Sequence, residues 1–296
     1  MCLSERNKPQ EERIEKKMKR KEKREKFWKA VQLELRENKS TFLVYSGMRI
    51  VIILMMVLQF FNHNYENVFL CLLTLFLMMM PSILQVTLKI EFPSTLEIII
   101  LCFIFAAEIL GEIQSFYIHF PYWDTILHTL NGFLCAAIGF SLVEILNRHK
   151  RPQFNLSPVF LVIVSFCFSM TIGVLWEFFE YGMDSLFNLD MQKDTVIHAI
   201  SSTYLDPTRQ NLRVVISPIE EVLINGQELG VGGYLDIGLI DTMMDLIVNF
   251  IGAFSFSLLG YFYLKHQNRK NVIMNLVPVP QKEHKYEELE EEDTRE

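Results

Sequence analysis

The sequence predicts an all-α polytopic membrane protein with about six transmembrane helices. Three observations carry that expectation. Long apolar windows recur along the chain, the joints between several of them are short, and charge is concentrated at the two ends and in a few joints. Half of the 296 residues are hydrophobic. A soluble domain can reach that total, so the distribution decides the class.

Residues 1–41 form a basic N-terminal segment. Its stretch RIEKKMKRKEKREKFWK (13–29) interleaves Glu with Lys and Arg, the pattern of a solvated helix that also acts as a topology signal. No cleavable signal pattern precedes the first apolar run near residue 42, so that run is expected to be an uncleaved signal anchor. Six windows are long enough to cross about 30 Å of hydrocarbon. They lie at 42–62, 66–88, 95–118, 123–146, 157–184 and 239–264. The joints after the first and third are very short and predict antiparallel hairpins. Residues 185–238 form the sizeable polar loop, expected to carry some β structure, and 265–296 form a tail ending in EELEEEDTRE, whose composition predicts disorder.

The positive-inside rule orients the spans. The 13–29 stretch, the joint NRHKRP (147–152) and KHQNRK (265–270) are basic, whereas FNHNYEN (61–67) and HFPYW (119–123) hold neither Lys nor Arg. With six spans, both termini and the 147–152 joint are expected to be cytoplasmic, and the 185–238 loop extracytoplasmic. The expected location is the plasma membrane, with the lipid bilayer as the principal partner and no nucleic-acid partner. The five cysteines show no metal-like spacing, and four of them sit in apolar windows as small hydrophobes.

Acids inside spans are costly, roughly 2.5–3.5 kcal/mol each at mid-membrane, so their positions carry information. The third window holds Glu108 and Glu112. The fourth opens with Asp124 and His128. The fifth ends with Glu177, Glu180 and Asp184, and the sixth opens with Asp241, Asp245 and Asn249. Spacings of three and four place each set on one helix face. Given the orientation, all four sets fall in the outer half of the membrane, which predicts one shared polar layer. Gly132, Ala136, Gly252, Ala253 and Ser255 predict close helix packing beside it, and Trp123 and Trp176 read as packing or interfacial aromatics. In the loop, Asp194 and His198 are also four apart in a stretch that reads as amphipathic, and Asn225-Gly226 predicts a hairpin turn.

Three segments resemble a known family: YWDTILHTLNGFLCAAIGFSL, GVLWEFFEYGMD and DTMMDLIVNFIGA. They are similar to the YjdF-like membrane-spanning proteins of Gram-positive bacteria, over about residues 90–264. More remotely, Asp124, His128 and Gly132, with Asp241, Asp245, Asn249, Gly252 and Ala253, are similar to the motifs of the VanZ-like superfamily. Those proteins are associated with teicoplanin resistance, but the WEFFE motif and the long loop depart from a short VanZ-like unit. The resemblance brings no chemistry of its own.

Carboxylates with a histidine suit a divalent metal site or general acid–base chemistry. HExxH and GxSxG signatures are absent, no Ser or Cys stands out as a nucleophile, and metal-assisted attack of water is therefore the preferred form. The expected catalytic set is Asp124, His128, Glu177, Glu180, Asp241, Asp245 and Asn249. The expected metal ligands are drawn from Glu108, Glu112, His128, Glu177 and Asp245. A lipid-linked or cell-envelope substrate is expected. The alternatives are a non-catalytic binding or envelope-stress protein, or a proton- or cation-coupled transporter.

Overall fold

The computed structural model describes residues 8–37, 39–148, 156–265 and 278–281. The NRHKRP joint, most of the 265–270 stretch and the acidic end of the chain lie wholly or mainly outside these residues. The basic stretch forms α1 (Lys8–Glu37) and is followed by α2 (Lys39–Phe61). The second window is α3 (Tyr65–Leu77) and α4 (Met80–Leu88), with Pro81 in the first turn of α4, where a missing N–H costs nothing. Asn64 starts α3 by accepting a hydrogen bond from the Asn67 N–H. Strand β1 (Ile90–Glu91) follows, then α5 (Ser94–Phe105), α6 (Phe116–His119), α7 (Trp123–Arg148) and α8 (Pro158–Phe187). Ser157 caps α8 through the Phe160 N–H, Pro158 occupies its first turn, and Asn188 in the left-handed region ends it. After the loop come α9 (Leu239–Lys265) and the strand Val279–Pro280.

Five helical stretches among the described residues are long and apolar enough to cross a membrane: Ser40–Phe61, Tyr65–Leu88, Trp123–Ile145, Pro158–Phe187 and Leu239–Lys265. They agree with five of the six windows to within a few residues. Large apolar side chains such as Leu54, Phe61, Phe178, Ile247 and Phe254 point outward from them, as expected for surfaces solvated by lipid. The fold is thus an all-α polytopic membrane protein.

The remaining window, 95–118, differs from expectation. α5 runs into an eight-residue π-helical segment, Ala106–Ile113, marked by the Gln114 N–H bonding the Ile109 carbonyl. Ser115, at φ 57°, then turns the chain so that α6 doubles back, and the Tyr117 ring covers Gly111. The Trp123 indole donates to the Ala106 carbonyl at the start of this segment, 3.3 Å away. Apolar periodicity reports which face is buried but not an extra residue per turn, so the pattern concealed the break.

The core forms around α7. Ala136, Ala137, Phe140, Ala253 and Phe256 are all nearly inaccessible between α7 and α9. A Cβ on Gly132 would overlap the Asn249 carbonyl, and one on Gly252 would overlap the Thr129 carbonyl, so the two backbones touch. On the other side, Ser165 and Ser169 of α8 donate to the Ala136 and Gly132 carbonyls at 2.6 and 2.7 Å. Ser255 takes no part in this packing; it is exposed and bonds back to Ile251 within α9. Tyr45, Ile52, Cys71, Met78, Leu101 and Ile104 build a second core from α2, α3 and α5, and Ile90, Leu96 and Leu134 join α5 to α7.

The loop carries three antiparallel strand pairs in chain order: β2 (Val196–Ile197) with β7 (Tyr234–Leu235), β3 (Ile200–Ser202) with β4 (Val214–Ile216), and β5 (Leu223–Ile224) with β6 (Gln227–Glu228). Asn225 and Gly226, both at positive φ, make the expected hairpin turn between β5 and β6. The amphipathic reading of 188–207 fails, because after Asn188 this stretch is extended and turned rather than helical. Its β-branched Val196 and Ile197 pair with β7, so Asp194 and His198 share no helix face.

Strand β8 (Val279–Pro280) pairs antiparallel with β1, α1 packs against α4, and Val31 and Leu33 of α1 are buried. The two terminal segments thus meet at the α4–β1 corner. Starting from that corner, Ser94–Ile113 leads to Glu112, which contacts Lys193 of the loop. This composite helix therefore runs from the β1–β8 end of the bundle to the loop end.

Candidate functional site

The site sits where α7, α8 and α9 converge near the loop end. Asp124 and His128 are one turn apart on α7, so the imidazole lies beside its own helix's carboxylate, with Nε2 3.4 Å from Asp124 Oδ1. Across the α7–α9 contact, Asp245 Oδ2 stands 3.8 Å from the same nitrogen. From α8, Glu177 Oε1 stands 3.8 Å from Nδ1. Each separation is too long for a hydrogen bond, which needs about 2.7–3.2 Å. The imidazole therefore sits among three carboxylates without being bonded to any of them.

Burial makes this arrangement chemically demanding. The Glu177 and Asp245 side chains are 5% and 4% exposed, while Asp124 is 32% exposed and opens the cluster to the outside. Glu177 Oε2 is buried with no hydrogen-bond partner. A buried carboxylate oxygen left without a donor costs free energy unless a cation or a proton satisfies it. Asp124, His128 and Asp245 each offer an atom within 4.8 Å of the others. Ligands at about 2.0–2.2 Å from one ion lie roughly 3–4 Å apart, so the observed gaps suit a bound cation.

A frame of hydrogen bonds fixes the cluster from below and beside. Asn131 donates to Asn249 Oδ1 at 3.2 Å, and Asn249 Nδ2 lies 3.5 Å from the Met170 sulfur. Gly173 leaves room for the Asn249 amide, which a Cβ would approach to 2.6 Å. Asn249 thus joins α7, α8 and α9 one turn inward of Asp245. The Trp176 indole donates to Glu180 Oε1 at 2.8 Å and holds that buried carboxylate in place.

The loop is fastened over the rim by acids that serve structure. Asp184 accepts from the Met191 and Gln192 N–H groups at 2.7 and 2.9 Å, and Asp241 accepts from the Lys193 N–H at 2.8 Å. Gln192 donates to the Thr242 hydroxyl. Asp236 accepts from Thr195 and Ile240, tying the loop to the first turn of α9. The Lys193 ammonium reaches Glu112 at 3.5 Å and brings a cation to the edge of the layer. Farther out, Asp206 accepts from Thr208, Gln210 and Leu212; these bonds, led by the Thr208 hydroxyl, hold its carboxyl below the usual carboxylate range.

The structure places the expected residues unevenly. Asp124, His128, Glu177 and Asp245 come together. Glu180 and Asn249 flank them, and Asp241 lies at the rim as a loop anchor. Glu108 and Glu112 do not join the His128 group. They lie on the π-helical segment, where Glu108 is buried with an unpartnered Oε2, and Tyr117 lies within electrostatic reach of both and of Asp124 and Glu180. His198 faces the Ile219 carbonyl at 3.1 Å and is no part of the site. Sequence reasoning missed Asn131, Tyr117 and Lys193, and it read Trp123 and Trp176 as plain packing. The WEFFE spacing, which puts Trp176 one turn from Glu180, was the available signal for the latter pair.

A family model described as a predicted membrane protein, DUF2238, matches residues 44–266. The chain belongs to the DUF2238 family. The match spans the helical bundle and the loop together, so every residue of the polar cluster lies within the family's common part. No curated protein and no solved structure gives a significant match.

Proposed function

We propose that this DUF2238 protein is a membrane-embedded hydrolase or transferase that uses a divalent cation held by Asp124, His128 and Asp245 in the outer half of the bilayer. The observation that carries this reading is the group of three closely spaced potential ligands, with the buried Glu177, whose Oε2 has no hydrogen-bond partner, facing the opposite ring nitrogen of His128. A carboxylate at the free nitrogen of a ligating histidine fixes its ring orientation and raises its basicity. Glu177, 3.8 Å from Nδ1, is the carboxylate placed to take that role if the gap closes to hydrogen-bonding distance when the cation binds, and Glu108 and Glu112 leave the expected ligand set.

A cation so held lowers the pKa of bound water and polarises a phosphoryl or carbonyl oxygen. Glu180, fixed by Trp176, is the neighbouring proton carrier, and Asn249 keeps the three helices in register. The cluster opens through Asp124, next to the exposed Tyr122 at the start of α7. That position suits a lipid-linked or envelope substrate whose polar part lies at the outer interface. Transport is disfavoured because Ala136, Ala137, Phe140, Ala253 and Phe256 close the bundle inward of Asn249.

In this reading, Ser94–Ile113 is the sixth crossing, so both termini lie on the cytoplasmic side and the 185–238 loop faces outward. The basic segment before α2 supports that orientation. The decisive experiment is metal analysis of the purified protein by mass spectrometry. Near-stoichiometric divalent metal is expected in the wild type, with loss of at least ten-fold in affinity for His128→Ala and Asp245→Asn. Glu180→Gln should retain the metal. A folded wild-type protein that takes up no divalent ion would refute the reading.

A further inference from the structure

We infer that the basic stretch of α1 is the docking surface for this chain's own acidic segment, residues 282–296. Residues 17–29 carry eight Lys or Arg against two Glu, and residues 17–26 are exposed. Pairs within the helix, Lys21–Glu25 and Lys26–Glu22, use both of those acids at exposed positions. With eight bases against two acids, the stretch 17–29 has a formal net charge of +6.

The complementary charge is held close by. Residues 282–296 carry eight acids against three Lys or Arg, and the run 286–294 holds six acids and no base. That segment follows β8 directly, and β8 is paired with β1 through Ile90 with Pro280 and Glu91 with Val279. The Gln281 N–H donates to the Lys89 carbonyl at 3.0 Å, so the pairing continues to the last residue before the acidic segment. β1 follows α4, α1 packs on α4, and Val31 and Leu33 of α1 are buried. The acidic segment therefore emerges at the base of α1.

Its reach matches the target. From Val31 back to Lys17 is about 21 Å along the helix at 1.5 Å per residue. A flexible 15-residue chain has a root-mean-square span of roughly 20–23 Å. Tethering at this range gives an effective concentration in the millimolar range, which favours an internal partner over a dilute external one. The interaction buries little apolar surface, so it depends on ionic strength: the Debye length falls from about 10 Å at 0.1 M salt to 3 Å at 1 M. By covering α1, the segment would limit its access to anionic lipid, which attracts such stretches by about 1 kcal/mol per Lys or Arg.

The test is zero-length carbodiimide cross-linking of the full chain, mixed from light and heavy isotope preparations and read by peptide mass spectrometry. It is run in zwitterionic detergent and in nanodiscs containing 30% phosphatidylglycerol. Links from Lys17–Lys29 to Glu287–Asp293 within one copy are expected in both, falling several-fold at 1 M NaCl. Three results would each overturn the inference: links absent or only between light and heavy copies, links unchanged by salt, or links lost in the anionic nanodiscs, which would give the surface to lipid.

Discussion

Gly252→Ala tests whether the α7–α9 backbone contact sets the geometry of the site. At Gly252, an added Cβ meets the Thr129 carbonyl oxygen, with the Thr129 carbonyl carbon at 2.9 Å and the Phe133 nitrogen at 3.0 Å. These are backbone atoms of a long helix and cannot rotate away, so the helices must separate. Overpacking of this kind costs about 1–3 kcal/mol, and the immovable obstacle puts the cost near the upper end. Loss of the close approach also removes weak Cα–H···O contacts, each about 0.5–1 kcal/mol. A total of about 3 kcal/mol corresponds to a fall of roughly 6–12 °C in Tm for a domain of this size. The assay is thermal unfolding in detergent, followed by loss of the monodisperse peak, with two controls. Gly47→Ala meets nothing within 4 Å and should be neutral or slightly stabilising. Gly139→Ala meets only the Phe168 side chain and should be intermediate. Because His128 and Asp245 face each other across the same α7–α9 contact at 3.8 Å, Gly252→Ala should also weaken the proposed metal binding. A Gly252→Ala variant as stable as Gly47→Ala would refute the packing argument.

Asp206→Asn should loosen the 206–212 turn, since an amide has one acceptor oxygen and cannot serve both the Thr208 N–H and hydroxyl at Oδ1 and the Gln210 and Leu212 N–H groups at Oδ2, as the carboxylate does. Trypsin should then cut after Arg209 and Arg213 several-fold faster than in the wild type; equal rates would count against the assignment. The same carboxyl predicts a pH dependence. Its folded pKa is depressed, so its stabilisation is fully present above the unfolded value of about 3.9 and is lost as pH falls through the folded value. Amide exchange of residues 208–212, corrected for the intrinsic rate, should therefore accelerate below about pH 4 and be flat from pH 5 to 7. For topology, a cysteine replacing Gln210 should react with an impermeant maleimide on intact cells, and reaction only after lysis would reverse the proposed orientation.

How far the sequence could be read depends on the range of each interaction. The spans at 123–146, 157–184 and 239–264 were legible because apolar length is a local property, and they agree with α7, α8 and α9. The side-chain sets on those helices were legible for the same reason: spacings of three and four fix a face without knowledge of neighbours. Their meeting at His128 required the orientation argument, which supplies depth but not distance. The π-helical segment was illegible, because it changes hydrogen-bond register without changing apolarity. Glu108 and Glu112 lie on that segment and are not among the closely spaced Asp124, His128 and Asp245.

The loop shows the opposite limit. Acids of the loop and of the helix ends beside it resemble those deeper in the spans, and only the structure separates them by partner. Asp184, Asp206, Asp236 and Asp241 each accept backbone N–H groups, so their charge is used to order the chain. Asp124, Glu177 and Asp245 face an imidazole at distances too long to bond, and Glu177 keeps an oxygen without any donor. A carboxylate satisfied by backbone amides has little left to offer a ligand, whereas one buried without a donor is stable only with a proton or a cation. Partner type, rather than the number of acids, is therefore the reason to place the proposed chemistry at His128 and to give the acids that accept backbone N–H groups a structural role.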